Sequence, residues 1–127
     1  MSLGTPSVTI ANGASLSDVV ELGDGATIIG LTTDSAWDAN KITFAVSNER
    51  ADTAAELAAL TYTPLYLDTG VEAVIGVTTS IAASASTFVP DSWLKGWRWV
   101  KLRSGTAAAA ANQSGATTIR LSIRDVD

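Results

Sequence analysis

Two acidic pairs and one aromatic-cationic strand are the residues of this 127-residue chain whose types and spacing could do chemistry. Asp34 and Asp38 flank Trp37 and, with Asn40, offer oxygen ligands to a hard cation. Calcium takes about 6–8 oxygens, and the alternating Asp/Asn pattern ending in glycine is missing, so a polar loop with a turn at Asp34 fits better than a metal site. Asp68 and Glu72 would serve as acid and base on a glycoside if a cleft held them roughly 5–10 Å apart. Asp68 beside Gly70 reads more simply as a turn residue. The chain has no histidine and no cysteine. That removes a Ser/His/Asp triad, thiol chemistry, disulfides and the usual transition-metal ligands. No catalytic residue, metal or cofactor is expected, and an enzyme is the least favoured class.

The aromatic-cationic strand is Trp97-Arg98-Trp99-Val100-Lys101-Leu102-Arg103-Ser104-Gly105-Thr106. On a strand, alternate side chains share a face. Val100 and Leu102 are expected to face inward, which sends Trp97, Trp99, Lys101 and Arg103 to the other side. Exposed Trp and Arg are common anchors of protein interfaces, so these four are the candidate partner-binding residues. Two other readings stay open. A pair of tryptophans is also a stacking platform for sugar rings. Alternatively, Trp97 turns inward before the strand and Trp99 lies under a neighbouring loop.

The elements that position these residues are strands. Ser7-Val8-Thr9-Ile10 alternates and ends at the turn dipeptide Asn12-Gly13. Leu16 to Leu22 and Ala26 to Leu31 follow, separated by Gly23-Asp24-Gly25. Trp37 is expected to plug one end of the core and Trp93 the other. Ile42, Phe44 and Val46 alternate with Thr43, Ala45 and Ser47. Thr53-Ala54-Ala55-Glu56 fits a capping box and a short helical turn. Leu60 to Leu67 reads as a strand demoted to an edge by Pro64. Val71, Ala73, Ile75 and Val77 alternate with Glu72, Val74, Gly76 and Thr78 as another strand. Thr87-Phe88-Val89 is short and stops at Pro90. Asp91 or Ser92 would cap a single turn ended by Gly96. Ile119, Leu121 and Ile123 alternate with Arg120, Ser122 and Arg124 in the last strand, after a small-residue loop from Gly105 to Gly115. The total is about eight or nine strands with no long helical pattern. This predicts an all-β, antiparallel β-sandwich, jelly-roll-like, with a closed barrel as the competing architecture.

Length allows one domain with a real core, over residues 6–127, preceded by a flexible arm over residues 1–5. No apolar run is long enough for a membrane helix, and Met1-Ser2-Leu3-Gly4-Thr5-Pro6 lacks the charged start and apolar run of a secretory signal. Residues 1–90 hold ten acids and two bases, a charge of −8, and residues 91–127 hold three acids and six bases, a charge of +3. An acidic chain is a poor nucleic-acid binder. Its basic end suits an acidic protein partner or is scattered solvated charge.

Three groups of residues carry a resemblance. They are Ala36-Trp37 with Ile42-Thr43-Phe44 and Ser47; Pro64-Leu65-Tyr66-Leu67-Asp68 with Gly70 and Glu72; and Val89-Pro90 through Leu94, Gly96 and Arg98 to Thr106, then Asn112-Gln113. In order and spacing they resemble a family of small β-sandwich structural proteins of tailed bacteriophages and prophages, of the capsid cement or decoration type. Ser47 to Thr53 stands where family members often carry a Ser-x-Asp-Gly-Gly-x-Thr-Trp-like hairpin, with extra residues before Leu60. The resemblance implies a non-enzymatic virion protein on the capsid exterior, made in the bacterial cytoplasm. It implies a homotrimer that binds the major capsid protein, with no nucleic-acid or membrane partner. The Trp97/Trp99/Lys101/Arg103 face and the N-terminal arm would make the contacts, and Trp99→Ala with Arg103→Ala would spare the fold. A tail-fibre or baseplate module and a carbohydrate-binding β-sandwich are the alternatives.

Overall fold

Eight strands form two four-stranded antiparallel sheets in the computed structural model, which describes residues 6–23 and 25–125. The strands are β1 (Ser7–Ile10), β2 (Val20–Glu21), β3 (Ala26–Thr33), β4 (Ile42–Ser47), β5 (Thr63–Pro64), β6 (Ser86–Phe88), β7 (Trp99–Ser104) and β8 (Thr117–Asp125). Two short helices, α1 (Ala54–Ala58) and α2 (Asp91–Leu94), complete the fold. The first sheet runs β1-β8-β3-β6 and the second β2-β7-β4-β5. The protein is an all-β sandwich of two separate sheets, not one closed barrel. The arm expected over residues 1–5 lies outside the described residues.

Period-two burial builds the core. Val8 and Ile10 of β1, Ile28 and Leu31 of β3, and Ile119 and Leu121 of β8 meet Ile42, Phe44 and Val46 of β4 and Val100 and Leu102 of β7. All eleven are at most 1% exposed. Burying side chains of this size contributes about 1.5–3 kcal/mol each. Trp37 is buried at one end, and its Nε1 donates to Ile81 O at 2.8 Å. The Asn12-Gly13 turn keeps Ile10 bridged to Ser17, after which the chain crosses to the second sheet. Pro64 sits in β5, an edge strand, where its missing N–H leaves no gap in the ladder.

Three local expectations are corrected. Residues 71–78 form no strand: Ala73 and Ile75 are buried, but Val71 and Val77 stand 62% and 68% exposed. Their alternation is met only by isolated bridges, Tyr66 to Glu72 and Ile42 to Ile75. Of the expected Leu60 to Leu67 strand, only Thr63 and Pro64 pair as β5. Pro90, not Asp91 or Ser92, is the N-cap of α2, and no side chain caps it. The Thr53 half of the capping box at α1 forms: Thr53 Oγ1 accepts from Glu56 N at 3.1 Å, while Glu56 Oε1 accepts from Asp52 N, one residue before the cap, at 3.0 Å.

The loop after β7 depends on one glycine. Gly105 has φ +89°, and a Cβ there would lie 2.5 Å from Ala109 O. Backbone can fold back so tightly only where no side chain stands. Gln113, 1% exposed, then ties three loops together. Its Oε1 accepts from Asp38 N at 2.7 Å, its Nε2 donates to Ser104 Oγ at 2.8 Å, and its backbone C=O accepts from Gly13 N.

Candidate functional site

The outer face of the second sheet, where the four candidate residues were expected to stand open, is roofed. Trp99 is only 6% exposed, and its Nε1 donates to Glu49 O at 2.9 Å. Lys101 Nζ lies 4.4 Å from the centre of the Tyr62 ring, a cation-π contact. Arg103 Nη1 lies 3.5 Å from Glu72 Oε2 and 3.4 Å from Thr43 Oγ1, and the two charged side chains are only 11% and 13% exposed. The cover comes from the segment after β4, which carries Glu49, α1 and Tyr62, and from Glu72. This segment also explains β4, whose six residues are all buried although they alternate in polarity. The Tyr62 hydroxyl is buried without a partner. Its pKa is raised, first by burial and then by the Glu49 carboxylate.

The expected solvent exposure of Trp99 and Arg103 is therefore corrected. Trp97 does not join them: it is half-buried against the core near α2. Ser104, Gly105 and Gln113 are buried too and hold loops in place.

Three of the four paired acids, Asp34, Asp38 and Glu72, are likewise occupied. Asp34 accepts from Ala36 N at 3.1 Å, the expected turn, and from Thr118 N at 2.8 Å. Asp38 accepts from Ser114 N at 2.8 Å. The Ser114 hydroxyl and then its backbone N–H hold the Asp38 carboxyl below the usual carboxylate range. Glu72 also receives Ala107 N, at 3.1 and 3.2 Å. Among the described residues, no three acidic groups gather where a cation could sit.

The open face belongs to the first sheet. Across it run two rows set by strand register: Ser7, Arg120, Thr32 and Ser86, then Ser122, Gly30 and Phe88. Thr32 Oγ1 and Ser86 Oγ are 2.8 Å apart. Phe88 is 89% exposed, more than any other large apolar side chain among the described residues. It borders a shallow trough floored by Gly30, where a Cβ would press on Thr87 O at 3.3 Å. Arg120 and Arg124 of β8 are exposed beside it. The β-bulge that inserts Ile29 in β3 sets this register.

Sequence reasoning passed over Phe88, although a signal was present. Phe88 ends β6 and Val89 follows it directly, and adjacent residues of extended chain point to opposite faces. Val89 is 3% exposed, which sends Phe88 outward.

A second concavity, of about 450 Å³, lies between the 66–72 hairpin and α2. Tyr66, Asp68, Ser92, Trp93 and Trp97 line it. Comparison with protein-family models, curated proteins and solved structures gave no match to this chain.

Proposed function

We propose that the chain is a non-enzymatic structural protein of a phage particle, a cement or decoration protein that docks on the coat lattice through the outer face of its first sheet. The observation that carries the reading is Phe88, 89% exposed on a four-stranded sheet whose β8, two strands away, carries the exposed Arg120 and Arg124. An exposed aromatic anchor with arginines on the same sheet has the composition of an interface hot spot, and a coat surface of acidic character is its complement. The three groups of residues that resemble phage structural proteins supply the partner. The jelly-roll topology belongs to the same reading and is supported by the interleaved order β1-β8-β3-β6 against β2-β7-β4-β5. A homotrimer, with many copies on one lattice, would turn modest single contacts into a firm grip.

The test is occupancy on purified heads that lack the protein. Wild type binds, and Phe88→Asp combined with Arg120→Glu does not, while both chains give the same circular dichroism. Equal occupancy by the variant sinks the docking face. Quantitative mass spectrometry of particles then reads the position: hundreds of copies fit the head, and a handful places the chain in the tail.

A further inference from the structure

The four tryptophans divide into two kinds. Trp37 and Trp99 are buried, and each indole N–H donates to a backbone carbonyl, Ile81 O and Glu49 O respectively. Trp93 and Trp97 are half-buried, and neither Nε1 has a protein partner. Neither is among the sealed polar atoms that lack a hydrogen bond, so both indole N–H groups reach solvent. A buried or half-buried indole ordinarily finds an acceptor. Trp93 and Trp97 both line one pocket, and both keep an N–H open to an acceptor from solvent.

The fold brings the pair together and holds it. Trp93 N donates to Pro90 O at 3.1 Å and Trp97 N to Leu94 O at 3.2 Å, while Gly96, at φ +96°, turns the chain between them. Trp93 is fixed edge-on against Phe44 of the core, with ring centres 6.5 Å apart and planes at 77°. The opposite wall is the hairpin closed by Leu67 N to Val71 O and Gly70 N to Leu67 O. It presents Tyr66, 56% exposed, and the exposed carboxylate of Asp68. The Asp68 carboxylate and the Ser92 and Tyr66 hydroxyls make no hydrogen bond within the protein. The pocket volume of about 450 Å³ falls in the ~300–1,000 Å³ range of small-ligand sites.

We propose that this pocket is a carbohydrate subsite for a pyranose ring. A sugar has apolar C–H faces for the Tyr66 and Trp rings, and hydroxyls that both donate and accept. It satisfies the Asp68 carboxylate as a donor and the indole N–H groups as an acceptor. A quaternary or methylated ammonium also suits an aromatic cage with a carboxylate. It has no acceptor to offer Trp93 and Trp97, so the two open donors decide for the sugar. The site shares no lining residue with the Phe88 trough and does not depend on the docking assignment.

The test probes the full chain with an array of immobilised hexose and N-acetylhexosamine glycans. The strongest hit is then titrated by calorimetry. Wild type binds, Asp68→Asn and Trp97→Phe each weaken binding about tenfold or more, and Tyr66→Ala does the same by removing a stacking wall. Trp97→Phe keeps an aromatic ring and deletes only the N–H side of the indole, which separates hydrogen bonding from packing. Phe88→Ala leaves sugar binding unchanged. An array with no hit overturns the proposal, as does binding that survives all three pocket variants or is displaced by tetramethylammonium.

Discussion

The two outer faces of the sandwich are built from the same materials and end in opposite states. Both carry an aromatic, two cationic side chains and small hydroxyl side chains on strand positions. On the second sheet these groups are Trp99, Lys101, Arg103 and Thr43, and each is engaged, by Glu49 O, Tyr62, Glu72 or a neighbour within the sheet. On the first sheet they are Phe88, Arg120, Arg124 and Thr32, and only Thr32 is engaged, with Ser86. The difference comes from connectivity. The chain leaving β4 brings Glu49 and then Tyr62 against the second sheet, whereas no segment among the described residues covers Phe88. An aromatic-cationic stripe is therefore structural or functional according to what a distant segment does.

The largest expected effect tests the roofed face. Trp99→Ala removes a buried ring and orphans Glu49 O, and should cost about 3–5 kcal/mol. Against a typical total stability of about 5–15 kcal/mol, that is a severe loss. Urea unfolding reads it as a lower midpoint. A midpoint within error of wild type would mean that the roof is absent in solution and that Trp99 is available to a partner. The expectation that Trp99→Ala and Arg103→Ala together spare the fold is reversed by this geometry.

Arg103→Ala comes next. It leaves Glu72 as a mostly covered carboxylate with Ala107 N as its remaining partner. The expected cost is about 1–3 kcal/mol. A double-mutant cycle with Glu72→Gln should show positive coupling. Zero coupling would reduce the 3.5 Å contact to coincidence and open this half of the face.

The strand register was legible in the sequence, and its surroundings were not. Ile42/Phe44/Val46, Val100/Leu102 and Ile119/Leu121 alternate over whole strands, and all seven are at most 1% exposed. Period-two patterning is local, so three or four residues suffice to reveal it. The roof over Trp99 is a contact between positions fifty residues apart, and alternation is silent about it. The same gap hid Val71 and Val77, whose spacing fits a strand that the register of β4 leaves room for only at Ile75. Of the candidate residues, Trp97 reaches a pocket, but its partners there, Tyr66 and Trp93, come from a hairpin and a helical turn that no spacing rule links. The Arg103-Ser104-Gly105 and Gln113 motif was visible as residues while its reason was not: it is a buried clasp.

A smaller effect sharpens the comparison from inside the roof. The Tyr62 hydroxyl is buried with no partner, so Tyr62→Phe deletes an unmet group and keeps the ring under Lys101. Stability should rise by about 1 kcal/mol. The sign with pH follows from the raised pKa. The folded chain holds this proton more tightly than the unfolded chain, whose tyrosine titrates near pH ~10. Stability linked to Tyr62 is then fully present below that pH and is lost as pH climbs above it. Tyr62→Phe should flatten this alkaline decline in denaturation curves taken from pH 8 to 11. A decline of unchanged slope would mean that the hydroxyl is solvated and the roof is loose.

The smallest effect on stability is the sharpest discriminator between the faces. Phe88 contributes almost no burial in the isolated chain, so Phe88→Ser should change unfolding free energy by about 0.5 kcal/mol or less. Under the proposed docking role, the ring acts in association and not in the fold. The same substitution should therefore abolish particle occupancy while leaving the melting curve in place, the reverse of what Trp99→Ala does to the melting curve. If Phe88→Ser instead destabilises the chain by several kcal/mol, the ring is packed in solution against some part of the molecule. The first sheet would then be roofed like the second, and the asymmetry that makes it a docking face would vanish.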